Sequence, residues 1–507
     1  MLHSRRDFLR SFGAAGTCLS LSPTLLRSET LRQRLASDPL RPQFHLLPAR
    51  DWMNDPNGPM YWKGRYHMFF QYNPNAARWG DMHWAHAVSP DMIHWRHLPV
   101  ALGPTPGWDD ADGCFTGSAV NDHGTPTLIY TGVKAVAPEH ATLRDELHNF
   151  REVQCLATSS DPELRTWKKW ERPILEPPDD PLITGFRDPF LWQDDSQWYL
   201  GVGSGQRKQG GRVLLYRSAN LREWEYLHAL ASGNWTGCDS INPVDSGEMW
   251  ECPDFFPLGG KHVLLYSTAG QVLWESGELD PKELVFHAQR RGVLDHGAYY
   301  AQKTQLDAKG RRILWGWIPE TRPEAEFVSA GWAGCMALPR VLSLDANGDL
   351  EMRFAAESES LREKQLFAKG TLAGSLARTL RGIQLKNVAG EFCWTAKSPR
   401  STFTLQDRGG TWLSLALEPK DAFTARLSVN GKSMDLPVGS QQEFRFHLLL
   451  DASVAELICN ARHAITTRIY RKPDGPLGIS VDDSDVANAA SLEVWQLRPI
   501  SSDRLTS

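Results

Sequence analysis

The chain has 507 residues, a formal net charge of −5 and 41% hydrophobic residues, enough for two domains with large cores. No block of Lys or Arg points to nucleic acid, and no segment is apolar for the ~20 residues that a membrane span requires. The eight cysteines lack C-x-x-C spacing, so neither a zinc site nor a disulfide framework is indicated, and no metal or cofactor is expected.

The N-terminus, "MLHSRRDFLRSFGAAGTCLSLSPTLL", sets Arg5 and Arg6 before Phe8-Leu9 and a short run of small and apolar residues. Residues 1–28 resemble a twin-arginine export signal, which carries folded protein out of the cytoplasm. Periplasmic or extracellular placement is the expectation. Next comes "RDWMNDPNGPMYWKGRYHMFFQYNP", where Asn, Asp, Pro and Gly suggest a turn between two aromatic-rich runs. Either it is a hairpin corner in an aromatic core, or Asp55 lies at the floor of a pocket.

Short β-type runs follow: "YHMFFQY" (66–72), "TLIYTGV" (127–133), "QWYLGVGS" (197–204), "HVLLYSTAG" (262–270) and "RILWGWI" (312–318). A second phrase recurs after the first three of them: "SPDMIHW" (89–95), "SDPELRTW" (160–167) and "SANLREW" (218–224). Repetition every ~60–70 residues indicates a propeller, here of five four-stranded blades. The repeated Trp95, Trp167 and Trp224 then pin the outer hairpin of each blade. "GVGSGQRKQGG" (201–211) reads as a blade turn, since no helix start or Gly-Lys-Ser follows it. After "LPRVLSLDANGDL" (338–350) the texture changes. "AAESESLREKQ" (355–365) suggests a short charged helix or linker, and alternating strands then read as an antiparallel β-sandwich. The expected organisation is all-β: a signal segment at 1–28, a five-bladed β-propeller at 44–340 and a β-sandwich at 366–500.

In a propeller the innermost strands line a central funnel, so acids far apart in sequence converge there. Three stand out: Asp55 in "WMNDPNG", Asp188 in "FRDPF" and Glu251 in "WECPDF". Paired carboxylates are what glycoside hydrolysis requires. The 20 tryptophans point the same way, since indole faces stack on sugars, the plainer alternative being a β core rich in Trp. Each acid also has an ordinary reading alone: Asp55 capping a turn, Asp188 paired with Arg187, Glu251 paired with a blade arginine.

Taken together, "WMNDPNG", "QYNP", "FTGSA", "FRDP" and "WECPD", followed by "DHGAYYAQ", "WGWI", "GWAGCMALPR" and "LLLDASVAELI", resemble glycoside hydrolase family 32, the invertases, fructan hydrolases and levanases. The resemblance covers nearly the whole chain after the signal. It implies a five-bladed propeller with a C-terminal sandwich. Asp55 would be the nucleophile, Glu251 the general acid/base and Asp188 the transition-state stabiliser. Asn54, Gln71, Trp79, Phe115, Thr116, Arg187 and Trp317 would line the fructose pocket. Thr116 stands where the family more often has Ser, and Ile458 replaces a Phe in the sandwich signature that keeps Asp451, Ser453 and Glu456. The implied activity is retaining hydrolysis of terminal β-fructose from sucrose or fructans such as inulin and levan. Three other readings stand beside it: a fructosyltransferase, disfavoured by Asn54; a fructan-binding protein with a dead site, disfavoured by the presence of all three acids; and a furanosidase for arabinose or xylose, which lacks the "NDPNG" match. The oligomeric state is not legible.

Overall fold

The computed structural model describes residues 31–145, 147–194, 196–369, 380, 382–439, 443–481 and 489–506. The export signal expected at 1–28 lies outside them. No helix among the described residues is long and apolar enough to cross a membrane.

Five antiparallel sheets come first in the chain. Their opening strands are Asp51–Trp62, Gly113–Asp122, Ile183–Asp194, Glu251–Leu258 and Tyr300–Leu306. Each contacts the next, and the fifth contacts the first, so they form the inner ring of a propeller. The ring is also closed by hydrogen bonds: Trp332–Ala333, after the fifth blade's inner hairpin, pairs in parallel with Asp51 and Trp52. The fifth blade's outer hairpin, Arg340–Leu344 with Leu350–Phe354, lies past residue 340, across an Asp345–Asn347–Gly348 turn.

The recurring phrase is a defined turn. In the first three blades a Ser hydroxyl accepts the backbone N–H of an Asp or Asn two residues on: Ser89 with Asp91, Ser159 with Asp161, Ser218 with Asn220. A residue then enters the left-handed region, namely Met92, Leu164 and Leu221. The indole N–H of Trp95, Trp167 or Trp224 donates to that residue's carbonyl. The Trp therefore pins a strained corner that an L-residue rarely adopts. A fourth copy, "DPKELVF", has Leu284 at φ 55 and Asp280 accepting the N–H groups of Lys282 and Glu283. The third residue after Leu284 is His287 and not a Trp, which hides the repeat from a search for Ser and Trp.

Two six-stranded sheets follow, spanning Arg362 to Leu497, after a short 3-10 turn over Ala356–Leu361. Their facing sides bury one apolar core, including Phe392, Trp394, Leu415, Phe446 and Val494. The sandwich also shares a core with the propeller, where Phe44, Trp332 and Leu338 pack with Leu449, Val454 and Ile458. Ile458 at that seam is 3% exposed, so its replacement of a Phe is a packing change. The sandwich signature clamps the seam. Asp451 accepts the backbone N–H groups of Gln43, Phe44 and His45. His45 bridges Asp451 at 2.8 Å and Glu456 at 3.0 Å, and Arg340 bridges Glu456 at 2.8 Å and Asp295 at 3.0 Å.

Candidate active site

The string "NDPNG" is no hairpin corner. It lies inside one twelve-residue strand that carries two register shifts, at Met53/Pro56 and Asn57/Met60. Pro is tolerated at such bulges because no ladder hydrogen bond is asked of it. Gly58, at φ 42, runs against Ala119, where a Cβ would sit 2.9 Å from that residue's own Cβ. The other inner strands shift register as well, at Phe115/Gly117, Arg187/Phe190, Glu251/Asp254 and Tyr300/Lys303. A bulge re-aims a side chain, and these bulges fall at Asp55, Thr116, Asp188, Glu251–Cys252 and Ala301. Asp188 and Cys252 hold φ values of 63 and 47, the kind of strain that collects at functional sites.

The result is one pocket of about 240 Å³. All ten residues named from the sequence line it: Asn54, Asp55, Gln71, Trp79, Phe115, Thr116, Arg187, Asp188, Glu251 and Trp317. Asp55 accepts the Thr116 hydroxyl at 2.6 Å and the Asn54 amide at 2.9 Å. Trp52 orients that amide by donating to its oxygen at 2.7 Å. Neither Asp55 oxygen caps a turn. The threonine hydroxyl at 116 thus does what a serine hydroxyl would do. Burial raises the Asp55 carboxyl, as does Glu251, while the Thr116 and Asn54 bonds oppose the rise.

Arg187 has a pairing that the sequence leaves open. Its Nη2 and Nε donate to Glu251 at 2.8 and 3.2 Å, whereas Asp188 is 4.0 Å away. Its third nitrogen, Nη1, is held at 2.9 Å by Glu152, a fully buried residue that no motif reveals. Tyr300 donates to the other Glu251 oxygen at 2.8 Å. Of the two tyrosines in "DHGAYYAQ", Tyr299 is a core residue and Tyr300 belongs to the pocket. Asp188 accepts the Cys252 N–H at 2.9 Å. The Cys252 thiol lies 3.4 Å from Asp55 and 3.6 Å from Asp188, between two carboxylates. Burial pushes Asp188 up to about 7, with Arg187 opposing and both Glu251 and Asp55 adding to the rise.

The glycine-rich hairpin at 201–211 has a structural purpose. A Cβ on Gly205 would lie 1.7 Å from the Glu248 carbonyl, on Gly203 2.4 Å from the Trp250 carbonyl, and on Gly211 2.1 Å from the Trp250 ring. Only bare backbone there lets the segment leading to Glu251 approach the third blade, where Arg187 waits. Leu143, Arg144, Asp145, Asn242 and Pro243 complete the rim. Trp79, 40% exposed, stands there edge-on to Phe115 and His148.

A strained ring of acids, one anchored for attack and one held by a cation and a phenol, is an arrangement suited to cleaving a glycosidic bond. Known proteins agree. The profile of the Glycosyl hydrolases family 32 N-terminal domain matches residues 45–353. A sucrose-6-phosphate hydrolase of Escherichia coli is 36% identical over 458 residues, covering 85% of this chain and 90% of the relative. A raffinose invertase of the same species is 35% identical over 466 residues, with the same coverage. Among solved structures, a Bombyx mori GH32 beta-fructofuranosidase superposes with a TM-score of 0.76 at 29% identity, covering 94% of this chain and 99% of that one. Fructan 1-exohydrolase IIa of Cichorium intybus gives 0.71 at 27% identity, covering 91% and 98%. The chain belongs to glycoside hydrolase family 32.

Proposed function

We propose that the protein is a retaining β-fructofuranosidase that removes terminal, non-reducing β-fructose from sucrose or short fructans. The observation that carries this reading is the unequal support of the two acids that face one pocket. Asp55 accepts hydrogen bonds from Asn54 and Thr116, which favour its anion against the burial that raises it. Glu251 is tethered on one oxygen by Arg187 and on the other by Tyr300. In the first step Asp55 attacks the anomeric carbon and Glu251 gives its proton to the departing oxygen, which leaves as glucose or a shortened chain. In the second step Glu251, now a base, takes a proton from water as that water displaces Asp55. Asp188, beside both, offers a carboxylate to the fructose hydroxyls and to the positive charge that develops on the ring.

The pocket is smaller than the roughly 300–1,000 Å³ of typical ligand sites, which suits one furanose at a chain end. Relatives carry matching names: a substituted variant of the Bombyx mori enzyme has been solved with sucrose and one of the Cichorium intybus enzyme with 1-kestose. The test is incubation with sucrose, followed by separate assays of glucose and fructose. Equal release supports hydrolysis, glucose in excess indicates transfer to another sugar, and no release contradicts the assignment. We further propose export through Arg5 and Arg6. Replacing both by Lys and fractionating cells checks it, and undiminished activity outside the cytoplasm would refute it.

A further inference from the structure

Lys303 is the one buried lysine among the described residues, 2% exposed. It belongs to the inner strand of the fifth blade, yet its ammonium reaches the carbonyls of Asp188 at 3.5 Å and Pro189 at 3.2 Å in the third blade. It also reaches the carbonyl of Pro253 at 3.2 Å in the fourth. Contact with three blades puts the ammonium near the propeller axis. The Asp188 side chain lines the pocket, its carbonyl faces Lys303, and Lys303 does not line the pocket. The ammonium therefore lies beneath the acids, on the far side of the backbone that carries them.

Two features of this placement call for a cause. The three carbonyls belong to the bulges that aim Asp188 and Glu251, where Asp188 and Cys252 are held in the left-handed region. Such conformations persist only when neighbours over-determine them, and three ammonium donors on three carbonyls do that. The second feature is charge. Among the described residues Lys303 has no ion pair, and the buried carboxylate that its field acts on is Asp254, one acid against which a buried ammonium remains costly. Overhead, Asp55, Asp188 and Glu251 have one guanidinium near them, Arg187, already shared with Glu152.

We propose that Lys303 is a positioning residue for the reaction described above: it fixes the bulges that aim Asp188 and Glu251, and it supplies from below the positive charge that keeps Asp55 an anion among carboxylates. The charged and titratable groups around it are Asp188 and Arg187 on the third inner strand, Glu251, Cys252 and Asp254 on the fourth, Asp55 on the first, and Arg312 on the neighbouring strand of its own blade. Its field opposes the burial that raises both Asp254 and Cys252.

The proposal rests on the fructosidase reading, and one assay separates the two. Sucrose hydrolysis is followed against pH for wild type, Lys303→Met, Lys303→Gln and Lys303→Arg, with melting temperatures recorded alongside. In the two neutral variants kcat falls about tenfold or more, KM stays within about threefold, and the acidic limb of kcat/KM moves up by about one pH unit. Lys303→Gln keeps a donor, so it recovers melting temperature over Lys303→Met without restoring the limb. Lys303→Arg keeps the limb in place. A folded Lys303→Met with the wild-type kcat and acidic limb, and only a lower melting temperature, overturns the proposal. Should the neutral variants not fold, Lys303→Arg decides: a limb displaced although the charge is kept overturns it, and an unmoved limb supports it. A wild type that releases no glucose overturns the fructosidase reading instead.

Discussion

Two clusters of buried carboxylates in this molecule have opposite fates. At the propeller–sandwich seam Asp451, Glu456 and Asp295 face His45 and Arg340, with every side chain fully inaccessible. Burial alone would raise Glu456, yet His45 and Arg340 outweigh it and hold Glu456 below the usual carboxylate range. Burial alone would lower His45, yet its bonds to Asp451 and Glu456 raise it to about 9. In the funnel Glu152, Glu251 and, at 4.0 Å, Asp188 share Arg187 as their one cationic partner among the described residues, Asp55 has no ion pair there, and Asp188 rises to about 7. Buried acids by themselves therefore signal nothing about chemistry. Acids left short of positive charge and open to a pocket do.

The comparison breaks first at the nucleophile. Asp55→Asn should lower turnover on every fructoside by a factor on the order of 10⁴ or more, since no other group is placed to form the ester. Glu251→Gln should lose sucrose cleavage comparably. It should nevertheless spare the phenol burst from an aryl fructoside whose leaving group needs no proton. Equal loss of that burst in both variants would remove Glu251 from the proton-donor role.

At the seam the expected effect is on stability. His45→Ala or Asp451→Asn strands a buried charge and should cost about 3–5 kcal/mol, read by denaturant unfolding. Activity per folded molecule should stay within about twofold of wild type. Loss of activity at unchanged stability would contradict a purely structural clamp.

Asp188→Asn should do the reverse. It should slow all leaving groups by a similar factor, about 10²–10³, because the proposed role of Asp188 involves no proton transfer. It should also stabilise the fold at neutral pH. Because the folded value, about 7, lies above the ordinary 3.8, the native state binds more protons between them. Wild-type stability is therefore highest below that window and falls as pH rises through about 7. The neutral variant escapes this loss, by at most about 4 kcal/mol for a shift of ~3 units. It should be the more stable protein at pH 8, with the gap closing near pH 4. His45, raised from 6.5 to about 9, gives stability that is complete below 6.5 and lost as pH rises through about 9. The two clusters thus occupy separable windows in one stability–pH curve. Asp188→Asn flattens the lower window and His45→Ala the upper one. The smallest effect is expected at Gly205→Ala, where the new Cβ displaces the strand that carries Glu251. A fall in kcat of about tenfold, with little change on activated fructosides, would match ~1.4 kcal/mol of misplaced acid.

Much of the site was legible because its strings are local. "NDPNG", "FRDP" and "WECPD" each carry an acid within two residues of the proline of a bulge, and a propeller brings them together whatever their separation. What escaped has physical reasons. Glu152 is one of several polar residues in the mostly buried strand "NFREVQC", and only the three-dimensional approach of Arg187 gives it meaning. Tyr299 and Tyr300 are indistinguishable until the bulge at Tyr300/Lys303 sets their faces. The turn expected at Asn54–Gly58 is a strand, because two bulges absorb the residues that favour turns. The abundance of tryptophan misleads in part: Trp79 and Trp317 line the pocket, whereas Trp84, Trp315 and Trp332 are fully buried blade residues.

The central claim is that Asp55 forms a covalent bond to fructose while Glu251 moves the protons. Glu251→Gln, treated with an activated aryl fructoside and quenched in acid, tests it directly. Without a base to activate water, the intermediate should accumulate. Peptide mass spectrometry should find one anhydrohexose on the peptide that contains Asp55, at a stoichiometry matching the phenol released. Phenol released with no labelled peptide, or the sugar found on the peptide that contains Asp188, would contradict the account.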